Sequence, residues 1–182
     1  MHFLSWLKHR IFGPRVPPGV SPFETGSGPA RLIILRHAEK TGDKRDKHLS
    51  GPGWERAEKL AAYVPQKFGR PDFLIAASNS EKSKRPVETL EPLAKALGLR
   101  IEAQYDDEQV DELIDELARV PRYAGKFGVI SWRHSDLSAL IRDLGAPDGA
   151  FPSAWDPMVY DLIVELTFSN GHVSARQITQ PF

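Results

Sequence analysis

Four times along this chain a short apolar run gives way to a stripe of apolar residues at helical spacing, and that alternation admits few folds. Residues 31–36, carrying Leu32, Ile33, Ile34 and Leu35, read as a buried strand. From a start at Ser50 and Pro52, Trp54, Ala57, Leu60, Ala61 and Val64 then mark a helix that Pro65 should end. Residues 72–77 form a second strand, and Val87, Leu90, Leu93, Ala94 and Leu97 a second helix, which Pro92 should kink and Gly98 close. A short strand at 99–103 precedes Val110, Leu113, Ile114, Leu117 and Ala118, a third helix stopped by Pro121. Residues 127–132 give another strand, and Leu137, Leu140, Ile141 and Leu144 a fourth helix. Strand followed by helix, repeated, predicts a three-layer α/β/α domain with a mostly parallel central sheet. The end of the chain differs: Tyr160, Leu162, Val164, Leu166 and Phe168 alternate with more polar partners, and Asn170-Gly171 then leads into residues 172–178, which predicts a C-terminal β-hairpin.

A length of 182 residues suits one domain. Residues 1–12 place Phe3, Leu4, Trp6, Leu7, Ile11 and Phe12 around Lys8, His9 and Arg10, an amphipathic pattern that suits contact with its own domain, a partner subunit or a membrane surface. Residues 13–29 are rich in Pro, Gly and Ser and read as a linker, which puts the domain at 30–182. Lys+Arg and Asp+Glu are equal at 24 each, so no net field draws the chain to nucleic acid, and anion binding must come from local clustering. Cysteine is absent, which excludes disulfides, thiolate metal sites and cysteine nucleophiles. No run is long and apolar enough for a spanning helix and no secretory signal pattern is present, so a cytoplasmic location is expected.

Three strand ends share one chemistry. The first ends at Arg36-His37, the second runs into residues 78–85 with Ser80 and Arg85, and the 127–132 strand ends at Arg133-His134 ahead of Ser135 and Asp136. Each location follows a strand's C-terminal end and precedes a helix N-terminus, where ligands bind to parallel sheets and where free N–H groups favour an anion. Two arginines and two histidines converging there describe a phosphate pocket. Guanidinium suits a tetrahedral phosphate, and positive neighbours keep a nearby imidazole neutral.

The ordered motifs resemble the histidine phosphatase superfamily, also called phosphoglycerate mutase-like, over roughly residues 31–145. Leu35-Arg36-His37-Ala38-Glu39 is similar to its Arg-His-Gly signature, with Ala38 in place of Gly. Leu49-Ser50 followed by Gly53, Ala57 and Leu60 is similar to its Leu-Thr, Gly, Gln-Ala, Leu segment, and Ser80, Arg85 and Thr89 match a third segment, with Pro86 replacing Ala. Ser131-Trp132-Arg133-His134 stands where the second catalytic histidine is expected. The resemblance implies that His37 is the nucleophile, forming a phosphohistidine, and that Arg36, Arg85 and His134 hold the phosphoryl oxygens, with neither metal nor cofactor. It implies a phosphoglycerate mutase-like fold and a phosphatase acting on a phosphomonoester or a phosphohistidine, in a small phosphorylated molecule or a phosphoprotein.

The proton donor to the leaving group has two candidates. Glu108 falls near the offset used by the mutase-like branch, without the residues that normally follow it, and Asp136 lies one residue beyond the position used by the acid-phosphatase branch. Glu108 also suits the acidic start of a helix and Asp136 a helix cap, and a substrate with a good leaving group needs neither. A domain that keeps the pocket and lacks the acid would instead be a phospho-ligand-binding or scaffold module. Mutase activity is disfavoured by the short chain. Lys40, Lys44, Arg45, Lys47 and His48 form a charged loop after the nucleophile, open to solvent or to a polyanion. Strand alternation would turn Arg133 away from the site, and Trp155 and Asp156 belong to a Pro-rich connection that either lines the cleft mouth or forms a surface loop.

Overall fold

A computed structural model describes residues 15–182. The amphipathic pattern at 1–12 lies outside the described residues. Within them the elements follow the expected order: β1 (Arg31–Arg36), α1 (Gly51–Phe68), β2 (Phe73–Ala76), α2 (Arg85–Leu97), β3 (Ile101–Glu102), α3 (Val110–Arg119), β4 (Phe127–Trp132), α4 (His134–Asp143), β5 (Leu162–Ser169) and β6 (His172–Thr179). They build one six-stranded sheet in the order β3-β2-β4-β1-β5-β6. The first four strands of that order run parallel, and β5 joins β1 antiparallel, as does β6 to β5. The fold is therefore the mostly parallel α/β/α sandwich with a terminal hairpin.

Alternation along β1 divides its side chains between two cores. Leu32 and Ile34 pack with Leu113, Leu117, Leu140 and Ile141 of α3 and α4, whereas Ile33 and Leu35 pack with Leu60, Val64, Leu90 and Leu93 of α1 and α2. Both layers are needed because a parallel strand is apolar on both faces. Local signals set the ends. Ser50 caps α1, its Oγ accepting from Gly53 N at 3.1 Å, and Gly98 closes α2 at a left-handed φ of 66°. Helix α1 continues through Pro65 into one further turn, and α2 runs through Pro92 to Leu97. Asn170 and Gly171, at φ 51° and 77°, make the tight turn between β5 and β6.

The stretch read as a linker is anchored in the part described. Val20 forms a bridge with His172, Gly19 N donates to Gly145 O at 2.8 Å, and Phe23 is buried against Phe168. Gly145 is required there, because its φ is 88° and a Cβ would lie 2.0 Å from Val20 O. Among the described residues no helix is long and apolar enough to cross a membrane.

Candidate active site

Strands β1 and β4 are neighbours in register, Arg36 beside Trp132, so the residues that follow them emerge side by side. His37 N donates to Trp132 O at 3.0 Å, which joins the two strand ends by one more bond. Arg36 is the last residue of β1, and its side chain is almost wholly buried. It donates through Nη1 to Pro157 O at 2.5 Å and through Nη2 to Tyr160 Oη at 3.2 Å, and its Cζ lies 3.8 Å from the Tyr160 ring centroid. Its Nε is buried without a partner.

The ring of His37 is 4% exposed and bonds to its own loop: Nδ1 lies 2.7 Å from Ala38 O. A carbonyl oxygen only accepts, so Nδ1 carries the proton and Nε2 keeps its lone pair. Burial, and after it the charges of Arg36, Arg85 and His134, push the pKa of His37 down to about 3, against the bond to Ala38 that opposes the shift. At neutral pH the ring is thus neutral with a defined tautomer. Ala38 N donates to Thr89 Oγ1 at 2.9 Å, and Thr89 Oγ1 donates to Arg85 O at 2.7 Å, so a buried threonine of α2 fixes the loop that carries His37.

Arg85 is the first residue of α2 and His134 the first of α4, so each side chain stands at a helix start; at α2 the Arg85 N–H is taken by Ser83 Oγ at 3.3 Å and Pro86 has none, which leaves anion contacts there to the side chain. Arg85 donates from Nη1 to Asp46 O at 3.2 Å and from Nη2 to Lys82 O at 3.4 Å, and its Nε, like that of Arg36, is buried and unpartnered. Burial and then the charge of Arg133 lower its pKa, with Asp46 opposing. His134 is held below the ordinary imidazole value by burial and then by Arg36 and Lys40, with Asp136 opposing. His37 therefore feels Arg36, Arg85 and His134, while Arg36 feels Arg85 and His134 feels Arg36, which groups the four side chains around His37.

The acidic candidates fare differently. Glu108 is exposed in the turn before α3, its backbone N–H bonded to Asp106, and its side chain makes no hydrogen bond or ion pair with the quartet. Its neighbour Asp107 faces inward instead, accepting from Trp132 Nε1 on its carbonyl at 3.0 Å and from Arg133 Nη1 on its carboxylate at 2.6 Å. Asp136 lies in the first turn of α4, close enough to raise the pKa of His134, and accepts from Ser135 Oγ.

Three residues that sequence patterns misplaced or passed over line the same region. Arg133 was expected to point away; the strand stops at Trp132, however, and Arg133 turns at the start of α4, sending Nη2 to Ser80 Oγ at 2.8 Å. Tyr160 looked like a strand residue, yet β5 begins at Leu162 and Tyr160 instead holds Arg36. Glu88, buried in α2, accepts from His48 Nδ1 and, at 2.9 Å, from Leu49 N, so the end of the charged loop is tied to α2 while Lys40, Lys44, Arg45 and His48 stay exposed to solvent. Trp155 is a buried anchor whose Nε1 donates to Val159 O at 3.2 Å, and Asp156 beside it is exposed. Among the described residues no group of three or more His, Asp or Glu could hold a metal ion.

In sequence, no family model and no curated protein matches the chain. In structure, the match is broad. Protein histidine phosphatase SixA complexed with tungstate superimposes with a TM-score of 0.57 at 13% identity, covering 82% of this chain and 96% of that one. Mycobacterial glucosyl-3-phosphoglycerate phosphatase with inorganic phosphate gives 0.53 at 16% identity, over 84% and 97%. A candidate phosphohistidine phosphatase SixA from Nakamurella multipartitia gives 0.55 at 16% identity, over 86% and 99%. The chain has the fold of the histidine phosphatase superfamily, which its ordered motifs resemble.

Proposed function

We propose that this chain is a metal-independent phosphatase in which His37 attacks the phosphorus of a phosphomonoester or phosphohistidine. The observation that carries the reading is the neutral, oriented imidazole of His37 beside two guanidinium groups whose buried Nε–H donors lack partners. Nε2 of His37 donates its lone pair to phosphorus as the bond to the leaving group breaks. The resulting phosphoimidazolium keeps its Nδ1 proton on Ala38 O. Arg36, Arg85 and His134 face the charge that spreads over the three phosphoryl oxygens during transfer, where fixed cations contribute most. Water then attacks phosphorus, the P–N bond breaks, and inorganic phosphate leaves with His37 neutral again.

Proton delivery to the leaving group distinguishes substrate classes. Asp136, beside His134, is better placed than Glu108, whose carboxylate joins no part of the quartet. A leaving group that departs without protonation needs neither. Phosphate and tungstate complexes are known for the structurally similar phosphatases named above, which supports the pocket as an oxyanion site.

Incubation with labelled aryl phosphate or phosphohistidine peptide, quenched in alkaline denaturant because phosphohistidine is acid-labile, should leave label on the wild type and none on His37→Ala. Unlabelled wild-type protein without turnover on either substrate, alongside tight vanadate binding, would instead establish a phosphate-binding module. In the same assay Asp136→Asn should slow alkyl phosphates more than aryl phosphates, and Glu108→Gln should change neither.

A further inference from the structure

Arg56 of α1 stands where the related motif carries Gln, and its guanidinium joins two distant parts of the chain. Nε donates to both carboxylate oxygens of Glu39, at 2.9 and 3.0 Å, and Nη2 donates to Oε1 at 2.8 Å. From the other side Nη1 donates to Gln180 Oε1 at 2.9 Å and to Phe182 O at 2.7 Å. The side chain is 14% exposed, so this fork is held in a partly dry setting where charge-assisted bonds are strongest.

Both ends of the fork lead to the quartet. Glu39 is bonded a second time through its carbonyl, which accepts from Ser50 N at 2.9 Å and from Ser50 Oγ at 3.1 Å. Glu39 is thus held through both its side chain and its carbonyl, which fixes the Cα where the Ala38–Glu39 peptide ends, and that peptide carries the Ala38 oxygen which holds the proton of His37 on Nδ1. Gln180 is buried and donates from Nε2 to Tyr160 O at 3.3 Å, and from its backbone N to Asp161 O at 2.7 Å, while the Tyr160 ring supports Arg36. Phe182 seats the tail, its ring meeting Tyr63 edge-on at 5.6 Å between centroids.

We infer that Arg56 is a positioning residue that couples residues 180–182 to the ring of His37, so that the seated tail sets which nitrogen of the nucleophile is free. The catalytic part of this inference rests on the phosphatase reading; the structural part, the tautomer of His37, does not. Two variants interrupt the coupling at different points: Arg56→Ala, and a chain shortened by residues 181 and 182. The histidine ring nitrogen shifts of both are compared with wild type by NMR, and kcat and KM are measured on an aryl phosphate well below each variant's Tm.

The expected result is a single Nδ1–H tautomer of His37 in the wild type and a mixed or reversed tautomer in both variants. kcat should fall roughly 10- to 100-fold, as for small misplacements of a reacting group. KM should stay near its wild-type value, because the guanidinium groups still hold phosphate. Arg56→Lys, which keeps one donor toward Glu39, should retain part of the rate. An unchanged His37 ring in both variants overturns the inference, even if Tm drops, since the tail is then only a stabilising clasp. Should Arg56→Ala fail to fold, the shortened chain and Arg56→Lys decide on the same readout. If the wild type turns nothing over while the tautomer still shifts in the variants, the positioning stands and the phosphatase reading falls.

Discussion

Arg36 and Arg85 use their Nη atoms on protein carbonyls and hydroxyls and keep Nε in reserve. A buried N–H donor without an acceptor costs on the order of 1–3 kcal/mol, so under the proposed phosphatase reading each would supply part of the drive to take up an oxyanion. Replacing Arg85 by Ala should weaken orthovanadate binding by about 10- to 100-fold, given roughly 1.5–3 kcal/mol for a hydrogen bond to a charged group; calorimetric titration checks it, and equal affinity would remove Arg85 from the site. Tyr160 offers Arg36 both a ring face and a hydroxyl. Tyr160→Phe keeps the face and should lose a few-fold in kcat/KM, whereas Tyr160→Leu loses both and should lose clearly more. Equal losses in the two variants would show that the ring face is idle.

At the scale of elements, the start of α1 is built against the loop of the nucleophile. Gly53 sits so close that a Cβ would lie 2.3 Å from Glu39 O, a backbone atom already bonded to Ser50. Gly53→Ala should therefore destabilise the protein by about 1–3 kcal/mol, the usual cost of overpacking. At this size that is a fall in Tm of roughly 2–12 °C by thermal unfolding. An unchanged Tm would mean the loop yields freely and that α1 does not set its position.

The elements were legible in sequence where apolar periodicity reports burial, as at β1 and β4, whose ends coincide with expectation. They were less so where polar residues open a helix: α2 starts at Arg85 and α4 at His134, ahead of the first apolar positions of their stripes. The quartet could be proposed because Arg36, His37 and His134 stand at strand ends and Arg85 opens the helix after a strand. The roles of Tyr160 and Arg133 could not, since one depends on where a strand ladder begins and the other on where one stops. The bonds from Arg56 to Phe182 join residues far apart in the chain, and no local pattern encodes such a pair.

Across the whole molecule, the depressed pKa of His37 links the nucleophile to stability. The unfolded chain protonates this ring near its ordinary value of 6.5 and the folded chain only near about 3, so between those values the unfolded state binds more protons. Stability contributed by His37 is full above the upper limit and is lost as pH falls through the window, and His134, shifted the same way, adds to the slope. Urea unfolding at several values from roughly pH 7.5 to 5, above the range where carboxylates titrate, should show stability declining with acidity. His37→Gln should flatten that decline; an identical slope in the variant would mean the ring is not held neutral by the fold.

Strand β1 lies between β4 and β5, with Arg31 opposite Phe127 on one side and Thr167 on the other. Both partners come much later in the chain, so during synthesis the strand that carries Arg36 waits unpaired until β4 has been made. Contacts this distant in sequence form slowly. A ribosome-bound chain released before β4 would hold His37 without His134 beside it, and one released before β5 would leave β1 as an open edge, prone to pair with a neighbour's strand. The order of the sheet thus delays assembly of the surroundings of His37 until β4 and β5 have both been made.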